Sequence, residues 1–467
     1  MTTGENVSNN LHNSTLASGI VGSSHSFKRD GKTSTIKPLS GCVRGSVKVP
    51  GDKSISHRAV LLSAMAEGTT RLSGVLDSLD VRSTIDAVSA LGAKVNLTKQ
   101  ADGSLAGGIT GWGKAGPVQP NGPIDCGNSG TTARLLLGVL SPWNIEVELT
   151  GDASLQARPM RRITAPLMKM GAQFSPSGKE TLPITVHGGK LDAIEYETPA
   201  PSAQLKTAVL LAGIYANGTT TVNEPAESRN HTELMLPQFG VNTTAAARTA
   251  SVTGPAELKA CEISVPGDPS SAAYIAAAAI LKRGSAVQIE DVSLNTARIG
   301  FTRTLERMGA DISVSRTTNA GKEPVGMVQA CYTPTLRGCE IPADKIVTII
   351  DEIPLLALCA AFAHGVTVFR KVTELRFKEC NRIEAIMEGL HKLDIEAWCH
   401  GDDLFVEGCP NLQVPSGITF DSHGDHRLAM TWGLLGLIGN TSINVKDFSS
   451  ISVSFPTFID TFTRLFK

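Results

Sequence analysis

Four short stretches of the chain carry residue types that could do chemistry. In Val49-Pro50-Gly51-Asp52-Lys53-Ser54-Ile55-Ser56-His57-Arg58, Pro50-Gly51 forces a turn, and Asp52 or Ser54 can cap the helix that runs on through Ala59 to Ala66. Lys53 stands at the helix start, and Arg58 follows Ser54 by one turn. Ser54 and Arg58 therefore share a face, while the free amides and the positive end of the helix dipole point the same way. An anion suits that place. In Thr373 to Arg382, Lys378 and Arg382 lie one turn apart with Glu379 beside them, which joins charge neutralisation to proton transfer. Arg158, Arg161 and Arg162 gather at another helix start after Gly151, and the pair Asp351-Glu352 precedes the apolar run Ile353 to Ala363. Each stretch alone also has a plainer reading: an exposed basic helix start, a solvated face, or a pair of N-caps.

Recurrence changes the balance, because one design of polar turn, small-residue apolar helix, Gly and β-prone strand occurs six times. The openings are Asp52, Asn128, Ser202, Asp268, Asp351 and Asp425, about 66 to 83 residues apart, which is room for one βαβ unit plus extra strands. A second element repeats downstream. Leu91-Gly92-Ala93, Met170-Gly171-Ala172, Phe239-Gly240-Val241, Met308-Gly309-Ala310 and Leu393-Asp394-Ile395 each close an amphipathic helix with a Gly-type stop. The sixth copy reads as cut short by the chain end. Six α/β units, three per domain, thus bring six similar helix starts to where they can converge.

Composition narrows the classes. With 41% hydrophobic and 19% charged residues, the chain is an ordinary globular sequence of two to four domains. A net charge of −1 argues against general binding to nucleic acid or anionic membranes, so any anion site must be local. The nine cysteines include no C-x-x-C pair, which suggests neither a disulfide framework nor a zinc site and fits a reducing compartment. No apolar run approaches the roughly 20 residues that span a bilayer. Residues 1–38, rich in Ser, Thr, Asn and Gly, read as a disordered extension, and Lys99–Pro123 and Thr317–Pro324 as hairpin-like excursions.

Taken in order, Pro50-Gly51-Asp52-Lys53-Ser54, Gly127-Asn128-Ser129-Gly130-Thr131, Arg158-Pro159-Met160, Ser202-Ala203-Gln204, Lys378-Glu379 with Arg382, and Asp425-His426-Arg427 resemble the 5-enolpyruvylshikimate-3-phosphate (EPSP) synthase family from about Lys37 onward. The resemblance implies a two-domain inverse α/β barrel of six βαβαββ repeats. One domain would hold residues 39–50 plus 267–467, and the other residues 51–266. It implies enolpyruvyl transfer from phosphoenolpyruvate to shikimate-3-phosphate by a cytoplasmic monomer without metal or cofactor, and without nucleic-acid or membrane partners. Lys53, Arg158, Arg382 and Arg427 would surround phosphoenolpyruvate, with Asn128, Gly130, Thr131 and Lys378 lining that end. Ser54, Arg58, Ser202, Ala203, Gln204, Arg229 and Asp351 would form the shikimate-3-phosphate pocket. Asp351, Glu379 and Lys53 would handle protons. The several cations and helix dipoles suit two substrates that bring two phosphates and two carboxylates to be desolvated.

The resemblance also marks departures. Leu135, Ala203 and Arg229 look like the divergent class II branch, and no lysine stands near Val453 where better-known members carry one. Family likeness puts glyphosate against position 130, where insensitive relatives often carry alanine. Cations on both domains imply a cleft that repels itself open until anionic substrate closes it. Two alternatives share the fold: the enolpyruvyl transferase that acts on UDP-N-acetylglucosamine, and a non-catalytic anion-binding protein. The first carries a loop cysteine that Gly151–Pro159 lacks, and the second would have lost Lys53, Asp351 or Glu379.

Overall fold

The computed structural model describes residues 31–176, 178–246 and 248–467. Its six inner helices are Lys53–Met65, Gly130–Leu140, Ala203–Gly213, Pro269–Leu281, Ile353–Ala361 and His426–Ile438. They are built mostly of apolar and small residues, and even the charged Arg58, Arg134, Lys206 and Arg427 within them are buried, the pattern of a helix without a solvent face. In Pro269–Leu281 every residue from Pro269 to Ile280 is buried. Small residues also let neighbours approach. A methyl on Gly138 would lie 2.1 Å from the carbonyl oxygen of Ala208, so only glycine admits helix Ala203–Gly213 at that crossing.

Two hydrophobic cores result. One draws only on residues from Ile55 to Val265, and the other on Ile36 to Val49 together with Ala272 to Leu465. Around them, among the described residues, stand six sheets, five of four strands in one order. Ile124–Asp125, for example, runs parallel to Glu146–Thr150, which is antiparallel to Ile184–His187, with Gln173–Ser175 at the far edge. The helices before the third strand of each unit stop at left-handed residues: Gly92, Gly171, Gly240, Gly309 and Asp394 all have positive φ.

The chain passes between the cores twice, and the two passages exchange strands. Arg44–Lys48 leads into helix Lys53–Met65 but pairs with Ala286–Ser293, while Glu262–Ser264 leads into helix Pro269–Leu281 but pairs with Thr69–Val75. The passages also hold each other. Asp52 N–H donates to the Pro266 carbonyl at 2.7 Å, and Asp268 N–H to the Pro50 carbonyl at 2.8 Å.

Three expectations need correction. Residues 1–30 lie outside the described residues, but within the supposed extension Thr33–Ile36 is a strand, antiparallel to Ile443–Lys446 with Ile36 buried. Four β-prone residues are too short a run to stand out of a polar segment, and pairing decides them. This strand forms one edge of the last sheet, with Ile443–Lys446 between it and Thr419–Asp421, so the sixth repeat, cut short at its own end, gains a third strand from the other end of the chain. Lys99–Pro123 is likewise no excursion. Leu105–Thr110 is an inner strand of the first sheet, held between Thr69–Val75 and Lys94–Lys99. Thr317–Pro324 does form the end of a hairpin, between Ile312–Ala320 and Glu323–Cys331.

Candidate active site

Helix starts build the site. Asp52, Ser202, Asp268 and Asp425 cap their helices with side-chain oxygens, as the repeat pattern leads one to expect. At the other two openings the cap falls one residue later, on Ser129 and at Glu352. That shift frees Asn128 and Asp351 for other work. Asn128 donates to Asp152 at 2.7 Å and accepts from Arg158 at 2.5 Å, so it orients the guanidinium.

The cleft between the two cores has room for about 320 Å³ of solvent, in the range of small-ligand pockets. From the first core it is lined by Lys53, Ser54, Arg58, Gly130, Thr131, Arg158, Ser202, Ala203, Gln204 and Arg229, and from the second by Asp351, Lys378 and Glu379. Asn128, Arg382 and Arg427 stand behind this lining. Arg382 is buried and spans Glu379 at 2.7 Å, Asp425 at 2.7 Å and Asp351 at 3.5 Å, so it supports two cleft carboxylates rather than facing the opening. Arg427 is buried with its Nε unpartnered, and its backbone is fixed by Asp425 and Tyr274.

On the first core, Lys53 Nζ meets Asp80 at 3.0 Å. Arg58 donates to Thr232, Thr207 and the Ser54 carbonyl at 2.7 to 2.9 Å, and burial pushes its pKa down to about 10. Gln204 joins two helices by donating to Thr131 at 2.9 Å and accepting from Arg134 at 2.9 Å. On the second core, burial opposes the charge of Asp351. Arg229, Lys378, Arg427 and Arg382 outweigh that penalty and hold its pKa well below the usual carboxylate range. Glu379 is held low in the same way, against burial, by Arg382, Arg158, His426 and Lys53. Burial lowers the pKa of Lys378, while Asp351 at 3.5 Å partly restores it. The free site thus holds two charged carboxylates among cations whose own desolvation favours incoming anions.

The family model of EPSP synthase (3-phosphoshikimate 1-carboxyvinyltransferase) matches residues 39–462. This chain belongs to the EPSP synthase family. It is 44% identical over 428 residues to the 3-phosphoshikimate 1-carboxyvinyltransferase of Nitrobacter winogradskyi, covering 90% of this chain and 95% of that protein. Against the Bacillus thuringiensis subsp. konkukian protein of the same name it is 40% identical over 437 residues, 93% of this chain and 100% of the relative. The EPSP synthase structure from Acinetobacter baumannii superposes with a TM-score of 0.81 at 37% identity, covering 93% of this chain and 98% of that one. The enolpyruvyl transferase NikO from Streptomyces tendae, at 17% identity and a TM-score of 0.74, shares the fold. The architecture is accordingly the two-domain inverse α/β barrel of EPSP synthases.

Several cleft residues escaped the sequence reading. Arg134 lines the cleft, and burial together with Arg162 and Arg158, partly offset by Glu379 and Glu374, pushes its pKa down to about 9. Its signal was an arginine inside the otherwise apolar run Thr131 to Leu137. Asp80 reads in sequence as a residue of the first turn of helix Leu79–Ala90, and nothing there announces its contact with Lys53. Arg162 and Glu374 face each other across the cleft at 3.5 Å. With Arg229 and Asp351, they make the charge across the cleft mixed rather than uniformly repulsive, which corrects the expectation of a self-repelling cleft. Val453, at the place of the missing lysine, is buried outside the lining. Among the described residues no cluster of His, Cys, Asp and Glu could hold a metal ion, and no helix is long and apolar enough to cross a membrane.

Proposed function

We infer that this chain is a 3-phosphoshikimate 1-carboxyvinyltransferase, joining the enolpyruvyl group of phosphoenolpyruvate to the 5-hydroxyl of shikimate-3-phosphate. One observation carries the reading beyond family membership: two charged carboxylates, Asp351 and Glu379, stand in one cleft among cations drawn from both cores. Small di- and trianions are what such a cleft can desolvate.

The residues divide by place. Arg134, Arg158 and Lys378, backed by Arg382 and Arg427, hold phosphoenolpyruvate beside the helix start at Gly130 and Thr131, with Asn128 orienting Arg158. Ser54, Arg58, Ser202, Ala203, Gln204 and Arg229 take shikimate-3-phosphate. Asp351 accepts the hydroxyl proton as oxygen bonds to C2 of phosphoenolpyruvate, and C3 gains a proton to become methyl. Glu379 suits that second transfer, since negative charge arriving beside a carboxylate raises its pKa and lets it carry a proton. Lys53, paired with Asp80 in the cleft wall, neutralises charge and can relay the proton. In the second half C3 loses a proton, the C2–O bond to phosphate breaks and the vinyl ether forms, so atoms and charge balance. Closure around both ligands would exclude water.

We further propose that residues 51–266 form one domain and residues 39–50 with 267–467 the other, supported by the two separate cores. The working form we propose is a cytoplasmic monomer. Phosphate release from phosphoenolpyruvate that depends on shikimate-3-phosphate tests the reaction, and release without the second substrate, or none with it, would overturn it.

A further inference from the structure

Arg298 is buried at the point where the chain crosses between the cores and takes no part in lining the cleft. Its guanidinium donates to Asp52 at 2.7 Å, to Asp268 at 3.2 Å and to the Ser270 hydroxyl at 2.9 Å. Asp52 and Asp268 are the caps of the helices that begin immediately after the two crossings. Asp268 also accepts the backbone N–H of Lys53 at 3.0 Å, so one carboxylate serves helix starts on both sides. The Ser270 hydroxyl continues the chain by donating to Glu352, which is buried and adjacent in sequence to Asp351. On its other side, the turn before Arg298 reaches the first core through Asn295, which donates to Asn230 at 2.8 Å, next to Arg229.

One fork-shaped cation therefore lies two hydrogen bonds from the backbone of Lys53, through Asp268, and two from Glu352, the neighbour of Asp351, through Ser270. Lys53 and Asp351 are cleft residues from different cores. Two caps that both carry negative charge in a dry crossing would repel each other without it. A guanidinium can bridge both caps and the hydroxyl at fixed angles, which a single ammonium cannot.

We propose, building on the enolpyruvyl-transfer reading above, that Arg298 is a positioning residue. It sets the two crossings and so fixes Lys53 against Asp351 in the geometry the reaction needs, without touching either substrate. Displacements of about 1 Å at reacting groups can cost a hundredfold in rate, so a small change at the crossing has a large kinetic readout.

The test compares wild type, Arg298→Lys and Ser270→Ala in the full chain. Melting curves, steady-state kinetics for both substrates and calorimetric binding of shikimate-3-phosphate are the measurements. We expect kcat at least tenfold lower in Arg298→Lys and several-fold lower in Ser270→Ala. Binding of shikimate-3-phosphate should stay within about threefold of wild type, because a group lost only from transition-state geometry lowers kcat rather than ground-state affinity. Hydrogen exchange in Arg298→Lys should rise in peptides covering 50–55 and 266–270 and not across both cores. A folded Arg298→Lys with kcat within threefold of wild type, or one whose kcat loss is matched by an equal loss of shikimate-3-phosphate binding, overturns the proposal. Where Arg298→Lys fails to fold, Ser270→Ala decides by the same criterion, with a kcat within twofold of wild type overturning it. No product from wild type would overturn the enzymatic reading itself, whereas an equally active wild type and Arg298→Lys would overturn only the role of Arg298.

Discussion

Arg229 and Asp351 form an ion pair across the cleft, one residue from each core, with the carboxylate also facing Lys378 and Arg382 at 3.5 Å. Asp351 thus serves both as a proposed proton acceptor and as the counter-charge that lets cations from two halves share one space.

If Asp351 and Glu379 transfer protons, Asp351→Asn and Glu379→Gln should each lower kcat by about a hundredfold or more, the usual general acid or base contribution. Both variants keep the side-chain shape but lose the charge and turn one acceptor oxygen into an amide donor, so kcat rather than KM is the readout. Steady-state assays that leave both variants within about tenfold of wild type would remove these two residues from the proton-transfer scheme.

The pH dependence follows from the same charges. Asp351 and Glu379 have folded pKa values well below their ordinary ones, because their cation partners outweigh burial. Their contribution to stability is therefore fully present above the ordinary carboxylate pKa and is lost as pH falls through the depressed folded values. Urea unfolding across the acid range should show a shallower loss in Asp351→Asn than in wild type. On the alkaline side burial moves Lys378 below 10.5, so the high-pH limb of kcat/KM should begin below that value and rise in Lys378→Arg. An unmoved limb would assign it to another group.

Gly130→Ala acts through a neighbour. A methyl there would lie 2.8 Å from Arg134 Nη1 and 3.4 Å from Arg158 Nη1, so the Arg134 guanidinium must shift before any ligand is met. We expect KM for phosphoenolpyruvate to rise several-fold and the inhibition constant for glyphosate, the longer anion, to rise more, because a steric clash separates the two affinities. Inhibition kinetics giving an unchanged ratio of inhibition constant to KM would show that position 130 does not discriminate between them.

Closure should depend on substrate more than on the cross-cleft ion pair nearest solvent. Arg162 and Glu374 are partly exposed, and such pairs contribute at most about 1 kcal/mol. Small-angle scattering should therefore record the same fall in radius of gyration on adding shikimate-3-phosphate to wild type and to Glu374→Gln. A variant that no longer contracts would make that pair the latch.

Sequence alone determined what is local and periodic. The six capped helix starts, the Gly-type stops from Gly92 to Asp394, and the cations Lys53, Arg158, Lys378 and Arg382 are legible because caps, stops and charge spacing act within one or two turns. Family motifs placed the cleft residues by number, including Arg229, which no periodicity marks. Tertiary structure decided what depends on partners far along the chain. Thr33–Ile36 becomes a strand only because Ile443–Lys446 offers an edge, and Asp80 becomes a cleft residue only because Lys53 lies across from it. Arg298 shows no motif at all: its meaning comes from two caps that are separated by 216 positions in sequence and brought together by the crossing. Long-range pairing and buried charge have no short-range signature, because the free energy that selects them arises only when both partners leave water together.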